Sequence, residues 1–159
     1  MWGINLPNNT GLVPNSNFVV EQPLTKQDFE LYNQLRYEVL RKPWNQPRGS
    51  ESDETDTESI HAFIIKDNKA IACGRVIFID PTTAQIRTMA VHPSYQGKGL
   101  GKLVIGYLED IARKNNRTKI ILHARESAVK FYENCGYKVK ETSYLLFGEI
   151  QHYLMDKTI

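Results

Sequence analysis

Met89-Ala90-Val91-His92-Pro93-Ser94-Tyr95-Gln96-Gly97-Lys98-Gly99-Leu100-Gly101-Lys102 is the stretch on which the reading of this chain turns. Ile86, Met89 and Val91 lie in a short, mostly uncharged segment suited to a partly buried strand. Three glycines at alternate positions follow, and a helical pattern begins at Leu100. Leu100, Leu103, Val104, Tyr107, Leu108, Ile111 and Ala112 make one apolar face, with Lys102, Glu109, Asp110 and Arg113 expected on the outer one. A helix that starts behind glycines presents bare amide groups and the positive end of its dipole, a surface that binds phosphate or pyrophosphate.

Two common phosphate loops are excluded. In a Walker loop, Gly-Lys is followed by Ser or Thr, but Gly101-Lys102 is followed by Leu103, and the earlier glycine would fall on Gln96. A dinucleotide fingerprint would need glycine at Lys102 or Val104. The pattern that is present is Arg/Gln-x-x-Gly-x-Gly/Ala, as Gln96-Gly97-Lys98-Gly99-Leu100-Gly101, preceded by Val91-His92-Pro93. It resembles the acyl-coenzyme A loop of the GNAT superfamily of N-acyltransferases.

A chain of 159 residues suits one domain with a real core and no need of disulfides. The expected division is an irregular lead-in over residues 1–16, rich in Pro, Gly and Asn, and a single domain over 17–159. A net charge of +2 with dispersed basic residues argues against a nucleic-acid partner. Cys73 and Cys135 match no metal or redox spacing, and the four histidines share no short ligand spacing, so no metal is expected. No apolar run approaches ~20 residues and the first residues lack signal-peptide character, so a cytoplasmic protein off the membrane is the expectation.

Taken in order, Asn17 to Glu21 reads as a first strand, and Thr25 with Asp28 as a helix cap. Phe29, Tyr32, Leu35, Arg36, Val39 and Leu40 recur at helical spacing up to Pro43. From Pro43 to Ser59 the chain holds Glu51, Asp53, Glu54, Asp56 and Glu58, read as a solvated, mobile surface loop; the other reading is attraction of a cationic amine. Ile60 to Ile65 and Ala70 to Ile79 form a hairpin around Asp67-Asn68, and a further turn leads to the Ala84–Val91 strand. Lys119 to Ala124 is a fifth strand, parallel to the fourth across the Leu100 helix. A helix from Ser127 to Asn134, capped by Gly136, precedes a sixth strand, read with a bulge, and a closing one, Ile150 to Met155.

This order is also that of the GNAT fold: an α+β (α/β) architecture with a mixed, mostly antiparallel sheet of six to seven strands, a splayed parallel pair (strands four and five) and flanking helices. A second motif, Ala128-Val129-Lys130-Phe131-Tyr132-Glu133-Asn134-Cys135-Gly136-Tyr137, resembles the superfamily's Ala-x-x-Phe/Leu-Tyr-x-x-x-Gly-Phe/Tyr segment. Leu35 to Arg41, Glu58-Ser59-Ile60-His61 and Ile150 to Met155 resemble the ElaA and YjcF-type bacterial group, whose common ending has proline where this chain has Gln151.

The resemblance implies acetyl-CoA as co-substrate and an amine acceptor, a small molecule in the leading reading and a protein amine or a non-catalytic coenzyme sensor in the others. It implies coenzyme contacts from Met89, Ala90, Val91, Gln96, Gly97, Lys98, Gly99, Leu100, Gly101 and Lys102, with Ser127 and Tyr132. The Met89 amide would hold the thioester oxyanion and Tyr132 would protonate the leaving sulfur. A strand bulge often opens the coenzyme channel, but none is visible here. The inward positions where relatives carry bases hold Gln85 and Arg87, neither of them a base. His152 and His61, with Glu149, are left as candidates; His92 and His123 read as strand-end residues. A monomer or a homodimer fits equally.

Overall fold

Thr25 and Asp28 close the first element on each other. In the computed structural model, which describes residues 17–159, the Thr25 hydroxyl accepts from the Asp28 amide at 3.0 Å and the Asp28 carboxylate accepts from the Thr25 amide at 3.1 Å. This reciprocal cap starts α1, Lys26–Leu40. The lead-in expected over residues 1–16 lies outside the described residues. The expected first strand shrinks to one bridge, in which Glu21 and Phe63 exchange both backbone hydrogen bonds. Pro23, two residues on, has no N–H to continue the pairing.

The sheet therefore has six strands: β1 (Ile60–Lys66), β2 (Lys69–Phe78), β3 (Thr83–Val91), β4 (Lys119–Arg125), β5 (Lys138–Leu146) and β6 (Ile150–Thr158), in the order β1-β2-β3-β4-β6-β5. The strands counted fourth and fifth in the sequence are β3 and β4. Asp67 and Asn68 join β1 to β2 with φ of +51° and +59°, the mirror-image turn whose twist suits a two-residue hairpin. Only β3 and β4 run parallel, and their ladder is three residue pairs long, Thr83 with Lys119 to Gln85 with Ile121. β5 carries the expected irregularities, with register shifts at Val139/Glu141 and Thr142/Leu145.

Two helices cover opposite faces. α2, Leu100–Lys114, buries its whole expected apolar face against one side, with Ala84, Ile86, Ile120, Leu122 and Met155. α1 covers the other, where Tyr32, Leu35 and Leu40 meet Phe63, Ala70, Cys73 and Ala90. Glu109 departs from expectation. It is buried, accepting from the Tyr137 hydroxyl at 3.0 Å and pairing with Lys157 at 2.9 Å, so donors replace the water it loses. A 3-10 turn and α3, Val129–Asn134, then lead into β5 through Gly136 at φ +94°.

The acidic segment is no solvated loop. Arg36 of α1 and Arg75 of β2 are both 0% exposed. Asp56 pairs with Arg36 at 2.8 Å and with Arg75 at 3.3 Å; Asp53 pairs with Arg75 at 3.1 Å and with Arg87 at 3.4 Å. Glu54 and Glu58 stay at the surface, but the two aspartates pin the segment to the sheet, because buried guanidinium groups demand counter-charges.

Candidate active site

Two residues, Thr88 and Met89, stand opposite Gly74 alone, because the β2–β3 register shifts between Cys73 and Arg75. This is a bulge, and parity shows its effect. Ala84 and Ile86 face α2, yet the equally even-numbered Ala90 packs under α1. Met89 and Val91 consequently turn to the α2 side, while Gln85 and Arg87 lie on the α1 side. Thr88 takes φ +51°, costly for a β-branched residue. Two β2 side chains hold it there: the Arg75 Nε–H donates to its hydroxyl at 3.1 Å, and the Cys73 thiol to its carbonyl at 3.8 Å. Burial pushes that thiol up to about 12, so Cys73 stays a neutral donor.

Beyond Gln85 and Ile121 the β3–β4 ladder stops, so from Ile86 and Leu122 onward the two strands diverge. The cleft leads to the glycine loop. His92 caps a 3-10 turn, Pro93–Tyr95, by accepting the Ser94 amide, and the Gln96 side chain donates back to the Val91 carbonyl at 3.3 Å. Gly97 and Gly99 have φ of +78° and +79°, and a Cβ on either would meet nothing within 4 Å, so the loop's outer side is open. No side chain caps α2, which leaves its first-turn amides at Leu100, Gly101 and Lys102 without intrahelical partners. Gly101 has a packing reason of its own: a Cβ would sit 2.9 Å from the Phe131 ring. The two motifs recognised in the sequence thus touch, thirty residues apart along the chain.

Tyr132, next to Phe131, is buried in the same α2-side cluster against which Met89, Val91 and Ala128 pack. Its ring is wedged edge-on between Phe131 and Tyr137. Burial drives its phenol well above the usual range, with Cys135 adding to the shift and the Arg125 charge opposing it. Its hydroxyl makes no hydrogen bond among the described residues, so it is not tied to the backbone. Ser127 is exposed on the 3-10 turn before α3.

The two candidate histidines part company. His61 on β1 is not at the cleft. Its Nε2–H donates to the Asp56 carbonyl at 2.8 Å, which leaves Nδ1 to accept the Tyr32 hydroxyl at 2.7 Å. Both nitrogens are used, and the residue serves as a strut between α1 and the acidic segment. His152 on β6 stands beside Arg125 at the end of β4. It is 4% exposed, its Nδ1–H donates to the Ile150 carbonyl at 2.9 Å, and its ring stacks on Tyr144 at 4.5 Å. Burial lowers its pKa despite that hydrogen bond, and Nε2 has no hydrogen-bond partner among the described residues. Glu149 is exposed in the β5–β6 turn.

Sequence reasoning placed Arg87 inward and His123 at its strand end, but it did not single out Arg125, Arg41, Trp44 or Tyr144 and did not see that all of them share one face. Arg87, His123 and Arg125 share it with His152, joined by Arg41 and Trp44 from the end of α1 and by Tyr144. The signal available was period two: Ile121, His123 and Arg125 alternate with the buried Ile120, Leu122 and Ala124.

A family model for the acetyltransferase (GNAT) family matches residues 25–137. The uncharacterized N-acetyltransferase YjcF of Bacillus subtilis is 31% identical over 123 residues, covering 77% of this chain and 87% of its own. Escherichia coli ElaA superposes with a TM-score of 0.72 at 18% identity, over 88% of this chain and 99% of ElaA. A GNAT family acetyltransferase from Elizabethkingia anophelis, crystallised with acetyl-CoA bound, superposes with a TM-score of 0.71 at 14% identity, over 90% of this chain and 99% of its own. Among the described residues no helix is long and apolar enough to cross a membrane.

Proposed function

The chain belongs to the acetyltransferase (GNAT) family, and from that premise we propose that it moves an acetyl group from acetyl-CoA to the amine of a small-molecule acceptor by direct attack on the thioester. One observation carries this reading: the uncapped start of α2 opens onto the mouth of the β3–β4 split. Pyrophosphate fits the first, where amides from Gln96 to Lys102 and the helix dipole meet an anion. An extended pantetheine arm fits the second, lying along β3 beside Met89, Ala90 and Val91 as an added strand.

Each step then has a group of this chain. The acceptor's neutral amine attacks the carbonyl carbon, and the Met89 amide donates to the oxygen that gains charge. As the carbon–sulfur bond breaks, Tyr132 gives its proton to the sulfur. The burial that keeps the phenol protonated also penalises a thiolate in the same apolar channel, so the transfer stays matched. His152, neutral and with Nδ1 anchored, takes the proton released from the amine at Nε2. His61 has no lone pair to spare for that task.

Calorimetric titration of acetyl-CoA into the wild type and into Gly99→Glu tests the reading. A glutamate there sets a negative charge where pyrophosphate lies; its side chain has open space, but the left-handed backbone strains it by about 1–2 kcal/mol, so the fold of the variant is checked alongside. Binding by the wild type, and its loss in a variant with unchanged circular dichroism, is the expected result. Equal binding by both removes the coenzyme site from this loop.

A further inference from the structure

Five arginines stand around the α1 side of the sheet, and they are not equivalent. Arg36, Arg75 and Arg87 each have an aspartate within ion-pair distance. Arg41 and Arg125 have none among the described residues. Both instead donate to one carbonyl, that of Leu40 at the end of α1, at 3.0 Å and 3.2 Å. The Arg41 Nε–H also donates to the Ser50 carbonyl at 2.9 Å, which leaves Nη2 of Arg41 and Nε and Nη1 of Arg125 without an acceptor among the described residues. Two half-buried guanidinium groups are thereby held side by side. Burial holds both below the usual guanidinium range, and each lies in the field of another arginine, Arg41 acting on Arg125 and Arg36 on Arg41, opposed at Arg41 by Glu51 and Asp53 from beyond ion-pair distance. The nearby carboxylates are occupied: Asp53 and Asp56 by the other arginines, Glu51 by the Gly49 amide at 2.8 Å.

The surroundings hold the two cations in place and add one free donor. The Trp44 ring lies 5.9 Å below the Arg125 guanidinium, and Phe147 lies 5.6 Å from that of Arg41. The Trp44 indole N–H is buried with no acceptor among the described residues. Tyr144 feels the charges of Arg87, Arg125 and Arg41 together. Arg125 is also the β4 residue paired with His152, so this group of donors flanks the point where an amine would lose its proton.

We propose that the acceptor is an amine that also bears an oxyanion, a carboxylate or a phosphate, and that Arg41 and Arg125 grip that oxyanion beside the acetyl-transfer site. The assignment rests on the acetyl-transfer reading above. A guanidinium fork binds carboxylate and phosphate alike through paired N–H groups. A polyamine or aminoglycoside would instead bring cations against unpaired cations. The same charges have a second effect: they disfavour an ammonium nearby, which raises the share of neutral, nucleophilic amine.

Thiol release from acetyl-CoA, measured with amines matched in length, tests this on the wild type alone. 4-Aminobutyrate and 3-aminopropyl phosphate are set against 1,4-diaminobutane, and the two anionic arms separate carboxylate from phosphate recognition. The expected result is a kcat/KM at least tenfold higher for one or both anionic amines, with competitive inhibition against the acceptor by butyrate or inorganic phosphate. Arg41→Gln and Arg125→Gln raise the anionic acceptor's KM at least tenfold and leave acetyl-CoA affinity in place, while Arg125→Lys recovers part of the loss. Preferred turnover of the diamine overturns the proposal and leaves acetyl transfer standing. Loss of acetyl-CoA affinity in both glutamine variants overturns it as well, since the arginines would then serve the coenzyme. Failure of the wild type to bind acetyl-CoA defeats the acetyl-transfer reading itself.

Discussion

At the scale of single residues, Tyr132 and Thr88 carry the sharpest content. Tyr132→Phe keeps the ring between Phe131 and Tyr137 and removes only the proton, so acetyl-CoA affinity is expected to hold while kcat falls about 10²-fold, or ~2.7 kcal/mol of transition-state stabilisation. Single-turnover kinetics check it, and a wild-type rate there removes the acid role. Because burial pushes the phenol so far up, Tyr132 gives the wild-type pH–rate profile no alkaline limb near pH 10, the ordinary tyrosine value. The sequence pointed to Tyr132 through a motif, but it hid Thr88. Bulges commonly announce themselves by glycine, and here the glycine, Gly74, sits on the opposite strand, where a Cβ would come 2.3 Å from the Met89 sulfur.

At the scale of elements, the acidic segment shows what hydropathy patterning leaves out. Read alone, the carboxylates from Glu51 to Glu58 look like solvated charge. Their partners were already on view elsewhere: Arg36 falls among the apolar positions of α1, and Arg75 lies in the middle of a buried strand. A buried arginine needs an acid from somewhere, but its sequence position does not say which acid, because Arg36 and Asp56 stand 20 residues apart and meet through the path of the intervening segment. Asp56→Ala strips a counter-charge from both buried guanidinium groups. The expected cost is about 3 kcal/mol, seen as a fall in Tm of roughly 6–12 °C; a shift under about 2 °C would return the segment to the status of a surface loop. The helices were more legible. Capping at Thr25 and the apolar stripe of α2 are local, whereas Glu109 finds Tyr137 and Lys157 only through tertiary contact.

At the scale of the whole molecule, stability is linked to pH through buried groups. Burial is the leading cause that lowers His61, His123 and His152, so the folded state resists protons that the unfolded chain accepts near pH 6.5. Their contribution is complete above that pH and is lost as pH falls through their depressed native range. Thermal melts are therefore expected to be level between pH 8 and 7 and to drop toward pH 5. Asp53 adds a later loss: burial alone would raise it, yet Thr55, Arg75 and Arg87 hold it at about 2, and what it contributes disappears only between pH ~4 and that value. A Tm that climbs on acidification would contradict both. The short β3–β4 ladder has a different consequence, in amide hydrogen exchange. β1, β2 and β3 form one antiparallel block and β4, β6 and β5 another, joined within the sheet by three residue pairs. In the free protein the two blocks are expected to exchange as separate units, with those amides of Ile86 to Val91 and Leu122 to Arg125 that point into the split exchanging faster than their neighbours bonded to β2 and β6. A pantetheine arm in the position proposed above would supply the missing strand, so saturating acetyl-CoA should slow those amides first and bring the two blocks toward a common opening free energy.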